Sequence, residues 1–263
     1  MFDVDAYLDR IAYDGGREPT LETLRALQEH HLLAVPFENL DIHRGAPIRC
    51  DMKRFYEKVV VQRRGGFCYE LNGLFGKLLG GLGFEVTMIS ARVRTAHGGF
   101  GPEFDHMALL VPIGGRRWLA DVGYGDSFLH PVSLETFDRQ LDPTGWYRVE
   151  KDDEEWLLLR DEKPEYRFTL TPYLLEDYAG MCHYHQTSPD SPFTKKSVCS
   201  LATRNGRITI SGSKLIVTDN GARRESELDG EEAWYQALRD HFGVAFKDDP
   251  IGRKDLPVSS MSS

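Results

Sequence analysis

The period of the apolar positions changes near residue 84. Before it, Leu21, Leu24 and Leu27 recur every three residues after Pro19-Thr20, and Pro36 closes the segment, which predicts a helix. A second stripe is stronger. Leu71, Leu74, Phe75, Leu78, Leu79 and Leu82 repeat with helical period, with Gly65-Gly66 ahead of them and Gly80-Gly81 and Gly83 at the end. From Phe84 the texture is that of strands: Phe84 to Arg94, Met107 to Val111 and Arg117 to Val122 are rich in β-branched and apolar residues. Trp146 to Glu150 and Trp156 to Arg160 read as a hairpin around the solvated run Lys151-Asp152-Asp153-Glu154. Asn205-Gly206 and Asn220-Gly221 read as hairpin turns. Glu231 to Phe242 reads as a closing helix and Val258 to Ser263 as a frayed end. There is no repeat or low-complexity tract. Helices, then strands, then a mixed segment define an α+β class.

Composition adds exclusions. The 263 residues are 41% hydrophobic and 28% charged, ordinary for a chain that buries a core without staples. A net charge of −9 and a pI near 5.5 argue against a nucleic-acid partner, whose phosphates need a basic face. No apolar run reaches the roughly 18 residues of a membrane span, and the opening residues lack a signal pattern. Cys50, Cys68, Cys182 and Cys199 show no pairing in their spacing and read as reduced thiols of a cytoplasmic protein.

Two segments carry candidate chemistry. Cys68 follows Gly65-Gly66 and stands three residues before Leu71, at or near a helix start and facing inward, where partial positive charge favours a thiolate. The glycines allow a sharp bend and close approach of a substrate. Taken alone, the segment fits a buried structural cysteine at least as well. The second segment is a hairpin. With Gly114-Gly115 as a two-residue loop, Asp121 falls opposite Ala108, which shares a strand face with His106. His106 and Asp121 then become same-face diagonal neighbours, about 7–8 Å apart at the backbone. A histidine oriented by a carboxylate, with a thiol opposite, is a nucleophile–base–orienter set. The competing picture is a surface histidine and a strand-end aspartate that never meet; an odd loop or a bulge would produce it.

These residues resemble a known family. Arg64-Gly65-Gly66-Phe67-Cys68-Tyr69-Glu70-Leu71-Asn72-Gly73 is similar to the cysteine segment of the arylamine N-acetyltransferases, and Pro36-Phe37-Glu38-Asn39-Leu40-Asp41 to their amino-terminal signature. His106 and Asp121-Val122-Gly123-Tyr124-Gly125 match two further segments, and Ser188-Pro189-Asp190-Ser191-Pro192-Phe193 a later one. The resemblance runs in order from Tyr7 to Gly243. Tyr124 replaces a frequent Phe, Asp105 a frequent Thr, and Cys182-His183-Tyr184 an Asn-Trp-Tyr-like run.

The resemblance implies an N-terminal helical bundle over 1–83 carrying Cys68, a central β-barrel over 84–190 carrying His106 and Asp121, and a C-terminal mixed α/β lid over 191–263. It implies a triad core like that of cysteine proteases, with Cys68 as nucleophile, paired as thiolate with imidazolium His106, and Asp121 orienting and stabilising that imidazolium. Phe37, Tyr124, Gly125 and Phe193 are implied at the substrate. The activity implied is transfer of an acetyl group from acetyl-CoA to an arylamine or aryl hydrazine through an acetyl-cysteine, a ping-pong route of xenobiotic metabolism. Acetyl-CoA enters as substrate, and no metal is implied.

Other signals are weaker. Gly123-Tyr124-Gly125 puts Phe128 where a dinucleotide fingerprint needs Gly or Ala. Gln62 to Phe67 fails an acetyl-coenzyme A loop pattern at its last position. Cys182-His183 with His185 lacks the second ligand pair of a zinc site. His30-His31 reads as packing or surface, and Arg63-Arg64 as partners of an acidic core residue. The same triad would also serve a cysteine hydrolase, a transglutaminase-like enzyme or an amide synthase.

Overall fold

The structure is a computed structural model and describes residues 2–246; the end read as frayed lies outside the described residues. Helices fill most of the first third. They are α1 (Val4–Arg10), α2 (Leu21–Ala34), α3 (Leu40–His43), α4 (Met52–Tyr56), continued by a π-helical turn over Glu57–Val61, and α5 (Cys68–Gly81). Thr20 caps α2 by accepting from the Thr23 amide, and the helix ends one residue short of Pro36, which cannot continue it. The stripe from Leu71 to Leu79 is buried on α5 as its period requires. One short strand, β1 (Phe37–Glu38), interrupts the helices.

An eight-stranded antiparallel sheet follows: β2 (Thr87–Val93), β3 (His106–Ile113), β4 (Arg116–Ala120), β5 (Val132–Ser133), β6 (Gln140–Asp142), β7 (Gly145–Asp152), β8 (Glu155–Arg160) and β9 (Lys163–Tyr173). Its order is β5-β4-β3-β2-β9-β8-β7-β6, so β5 and β6 are the two edges. The Gln140 side chain joins those edges, accepting from the Ser133 amide at 2.8 Å and donating to its carbonyl at 3.0 Å. The sheet is thus a nearly closed barrel sealed by one amide side chain rather than by a ladder. Ile89, Ala108, Leu119, Phe128, Tyr147 and Tyr166 belong to its buried interior cluster.

A 3-10 turn over Leu175–Tyr178, α6 (Ala179–Thr187) and α7 (Pro192–Lys195) lead to a second sheet of β10 (Val198–Thr203), β11 (Gly206–Ser211), β12 (Lys214–Asp219) and β13 (Ala222–Glu227). Its order is β1-β10-β11-β12-β13, so the N-terminal segment supplies one edge. Tyr235, Leu238 and Phe242 of α8 (Gly230–Phe242) share a buried cluster with Cys199 and Ile210.

The central hairpin has the register read from sequence: Leu109 pairs with Ala120 and Ile113 with Arg116, leaving Gly114-Gly115 as the loop at φ +57° and +76°. Asn220-Gly221 likewise forms a two-residue loop at φ +46° and +78°. The other turn differs. Thr203 pairs with Gly206, so Arg204-Asn205 makes the bend and Gly206 opens β11, where a side chain would run into the Thr218 carbonyl. Two strands are shorter than expected: β2 starts at Thr87, and β4 ends at Ala120, leaving Asp121 and Val122 in the following loop.

Candidate active site

The cysteine segment is held from behind by buried charge. Arg64 donates to Asp41 Oδ1 at 2.6 Å and Glu38 Oε1 at 2.7 Å, and Lys58 on the π-helical turn reaches Glu70 at 3.0 Å and Asp41 at 2.9 Å. All five side chains are buried, so each cation is matched by carboxylates rather than water. Glu70 also accepts from the Phe67 amide at 3.1 Å and so closes the start of α5, of which Cys68 is the first residue. Gly65 is pressed against the Pro36 carbonyl, and the Glu38 amide donates to the Gly66 carbonyl at 2.8 Å. These contacts lay Phe37 alongside the cysteine loop. The Arg64 reading from sequence therefore holds: its partners are core acids.

The hairpin brings up the other two groups. His106 opens β3, and its Nε2 donates to Asp121 Oδ2 at 2.6 Å. The Cys68 thiol lies close enough to the His106 ring and the Met107 amide to feel both. Cys68 is 2%, His106 3% and Asp121 1% exposed, so the three lie out of bulk water, where charge interactions are strong. Asp121 is fully engaged. Its Oδ1 accepts from Asn72 Nδ2 at 2.8 Å and the Gly123 amide at 2.9 Å, and its Oδ2 accepts from the Tyr166 hydroxyl at 3.1 Å as well as from His106. Burial opposes an imidazolium at His106, but the Asp121 charge and the hydrogen bonds to Asp121 and Cys68 prevail and lift it to about 10. At Cys68 burial pushes the thiol up, and the hydrogen bond and charge of His106 pull it back without cancelling that rise. The helix start read from sequence is present, yet burial outweighs the downward effect expected there.

Three residues that complete the arrangement were not singled out in the sequence. Asn72 lies one helical turn beyond Cys68; besides Asp121 it donates to the Met107 carbonyl at 2.6 Å and accepts from the Val122 amide at 2.8 Å. A buried amide at that spacing in an apolar stripe was the available signal. Tyr166 comes from β9 and Gln28, which accepts from the Asp121 amide at 3.3 Å, from α2; neither has a local signal. Gly123 is required by packing, because a Cβ there would stand 2.7 Å from both the Cys68 Cα and Asn72 Nδ2.

The four residues read as substrate-facing gather nearby. The Tyr124 ring lies edge-on to His106 at 5.4 Å, and the Phe37 ring lies 6.1 Å from that of Phe193. Gly125 has φ +92° and sits against the Phe37 ring. His31 is a packing residue, bonded through Nδ1 to the Tyr7 hydroxyl at 3.0 Å. All four cysteines are free thiols. Among the described residues no cluster of three or more His, Cys, Asp or Glu can hold a metal, and no helix is long and apolar enough to cross a membrane.

A mixed α/β fold with a nearly closed barrel-like sheet, set against a thiol–imidazole–carboxylate contact, defines a restricted class. Comparison with known proteins narrows it. The family model for N-acetyltransferase matches residues 20–251. Human arylamine N-acetyltransferase 1 is 34% identical over 93% of this chain and 95% of its own, and a chicken pineal gland isozyme, NAT-10, is 31% identical over 97% of each. Among solved structures, the Mycobacterium smegmatis arylamine N-acetyltransferase superposes with a TM-score of 0.87 at 32% identity over 94% of each chain. The Mycobacterium marinum enzyme in complex with CoA superposes with a TM-score of 0.85 at 30% identity over 92% of this chain and 93% of that one. The chain belongs to the arylamine N-acetyltransferase family, and it is an acyltransferase.

Proposed function

We propose that the protein moves an acetyl group from acetyl-CoA to an arylamine or aryl hydrazine through an acetyl-cysteine on Cys68. The observation that carries this reading is the buried set of Cys68, His106 and Asp121, with His106 bonded to Asp121 and every Asp121 oxygen satisfied. In the reacting form Cys68 and His106 hold one proton between them, and the imidazole, stabilised in its charged form by Asp121, carries it as sulfur attacks the acetyl carbonyl. The sulfur–acyl bond forms, the coenzyme A thioester bond breaks, and the departing thiolate takes the proton from His106. The amine then attacks the acyl-cysteine, His106 accepts its proton, and the thiol is restored. Phe37, Tyr124 and Phe193 offer apolar faces to a flat aromatic acceptor, and Gly125 leaves room beside them. The regions 1–83 and 84–190 supply the nucleophile and its base, and the region from 191 onward supplies the lid aromatic Phe193.

For the donor, a cavity of about 700 Å³ beside the Gly125–Asp126 loop is lined by Arg160, Arg204, Arg207 and Arg223. Arg160 and Arg207 share a single carboxylate, Asp126, at 3.3 and 3.2 Å. This excess of guanidinium over carboxylate suits the phosphates of coenzyme A. The CoA-bound relative supports a coenzyme A donor, and the four free cysteines fit the cytoplasmic location we assign.

The test is a burst experiment. Acetyl-CoA alone should release one equivalent of coenzyme A, leave one acetyl group on Cys68, and then slow; an arylamine should restore turnover with parallel double-reciprocal plots. Rapid coenzyme A release with free acetate and no amine requirement would make the protein a hydrolase instead.

A further inference from the structure

His185 is buried, 2% exposed, and the mechanism does not use it. It lies on α6, yet its ring makes contacts to three parts of the site. Nε2 donates toward Asp105, 3.2 Å from its carbonyl and 3.3 Å from its carboxylate, and Asp105 is the residue before His106. Nδ1 lies 3.2 Å from the Ser191 hydroxyl. That hydroxyl also accepts from the Phe193 amide at 3.2 Å, and its one proton lies within reach of both Nδ1 and the His185 carbonyl, 3.1 Å away. The imidazole edge packs on the Phe193 ring at 5.0 Å, and its face stacks near Tyr69, the neighbour of Cys68. Phe193 in turn touches the Phe37 and Phe67 rings.

Asp105 is fixed from the other side. Its carboxylate accepts from the Val93 amide at 3.3 Å, and the Tyr69 hydroxyl donates to the carbonyls of Phe104 at 2.6 Å and Asp105 at 3.4 Å. The start of β3 is therefore rigid without His185. The α6–α7 segment differs: α7 spans four residues, Pro192–Lys195, and begins at the Ser191 cap. Gln186 ties α6 to Ile48 at 2.7 and 2.9 Å, and α7 is held by hydrogen bonds from Asn39 and His43 to the Phe193 carbonyl, at 3.0 Å each, and from Asn39 to the Lys196 carbonyl at 2.9 Å, all of which hold the backbone and not the Phe193 ring.

We propose that His185 is a positioning residue that sets the Phe193 ring in register with His106 by tying Ser191 to Asp105, and so governs recognition of aromatic acceptors. The proposal rests on the acetyl-transfer reading above. A flat aryl group packed on Phe193 depends on that ring's placement, whereas the attack of Cys68 on the donor and the capture of a small non-aromatic acceptor do not.

The experiment compares His185→Leu and His185→Gln with the wild type in three measurements: acetylation of Cys68 by acetyl-CoA, KM and kcat for an aryl hydrazine, and the same constants for hydrazine itself. In His185→Leu the aryl hydrazine KM should rise about tenfold, the scale of one lost buried hydrogen bond. Cys68 acetylation and hydrazine kinetics should stay within about threefold. His185→Gln retains a donor for Asp105 and should recover part of the loss; it also serves alone if His185→Leu fails to fold. Equal losses for all three measurements, no loss at all, or no recovery with His185→Gln would overturn the assignment. A wild type that never acetylates Cys68 defeats the acetyl-transfer reading instead, so the two failures are distinct.

Discussion

Asp121→Asn probes the site with no change in volume. In the wild type both carboxylate oxygens face donors only: Asn72 and the Gly123 amide on one side, His106 and Tyr166 on the other. An amide nitrogen must therefore meet donors whichever way it turns. The Asn72 side is locked, because Asn72 also serves Met107 and Val122. The amide thus turns its NH₂ toward His106, whose Nε2 must give up its proton and accept. The remaining ring proton moves to Nδ1, facing the thiol, and the base can no longer take a proton from it. Losing the carboxylate also leaves burial unopposed, so His106 falls from about 10 to no higher than its ordinary 6.5. The wrong tautomer and the loss of support for the imidazolium together should slow Cys68 acylation by roughly 10³–10⁴-fold. The sign for stability follows. A raised histidine pKa stabilises the fold fully below 6.5 and loses that contribution as pH rises through about 10, so the wild type should lose stability in that window and the variant should not. Single-turnover release of coenzyme A, with alkylation of Cys68 by iodoacetamide against pH, measures the effect. Retention of more than about a tenth of the acylation rate in a folded variant would refute the proton-transfer role of the pair.

Two other changes test the frame. Gly123→Ala puts a methyl group against the Cys68 Cα and Asn72 Nδ2, both 2.7 Å away, and should cut acylation by about 10²-fold through displacement of the Asp121 loop; activity within a few-fold of wild type would mean that the loop tolerates the shift. Burial of His31, aided by the nearby Arg10 charge, drives it down to about 3, so it folds neutral while the unfolded chain takes up a proton below 6.5. Stability should therefore fall as pH drops from 6.5 toward 3, by up to about 1.4 kcal/mol per pH unit from this residue. Urea melts of wild type and His31→Gln across that range should diverge, and identical pH slopes would remove His31 as the cause.

What could be read in the sequence was local. The α5 stripe, the helix start after Pro19-Thr20 and the Gly114-Gly115 loop each depend on a few consecutive residues, and the loop alone set the register that puts Ala120 opposite Leu109, one residue short of Asp121. Asn205-Gly206 misled for a related reason. Its glycine answers to the Thr218 backbone across the ladder rather than to the turn, and turn statistics do not contain that contact. The bias toward thiolate at Cys68 was read from the helix start, but full burial of the segment decides the direction, and burial is a property of the assembled chain. Tyr166 and Gln28 reach Asp121 from β9 and α2, through sequence separations of 45 and 93 residues that no local pattern records.

That separation has a consequence for how the site holds together. Asp121 lies in a loop just past the end of β4, where the ladder no longer fixes the backbone. Its position is set instead by side chains from α2, α5, β3 and β9, each of which must be in place for the carboxylate to be fully bonded. An ionised carboxylate this deeply buried is tolerated only with all its donors present. The barrel, the helix carrying Cys68 and the Asp121 loop are therefore coupled through one group. A substitution that loosens any donor should lower stability and imidazole basicity together, whereas on the proposed reading a change at the Phe193 edge should alter acceptor recognition and leave both intact.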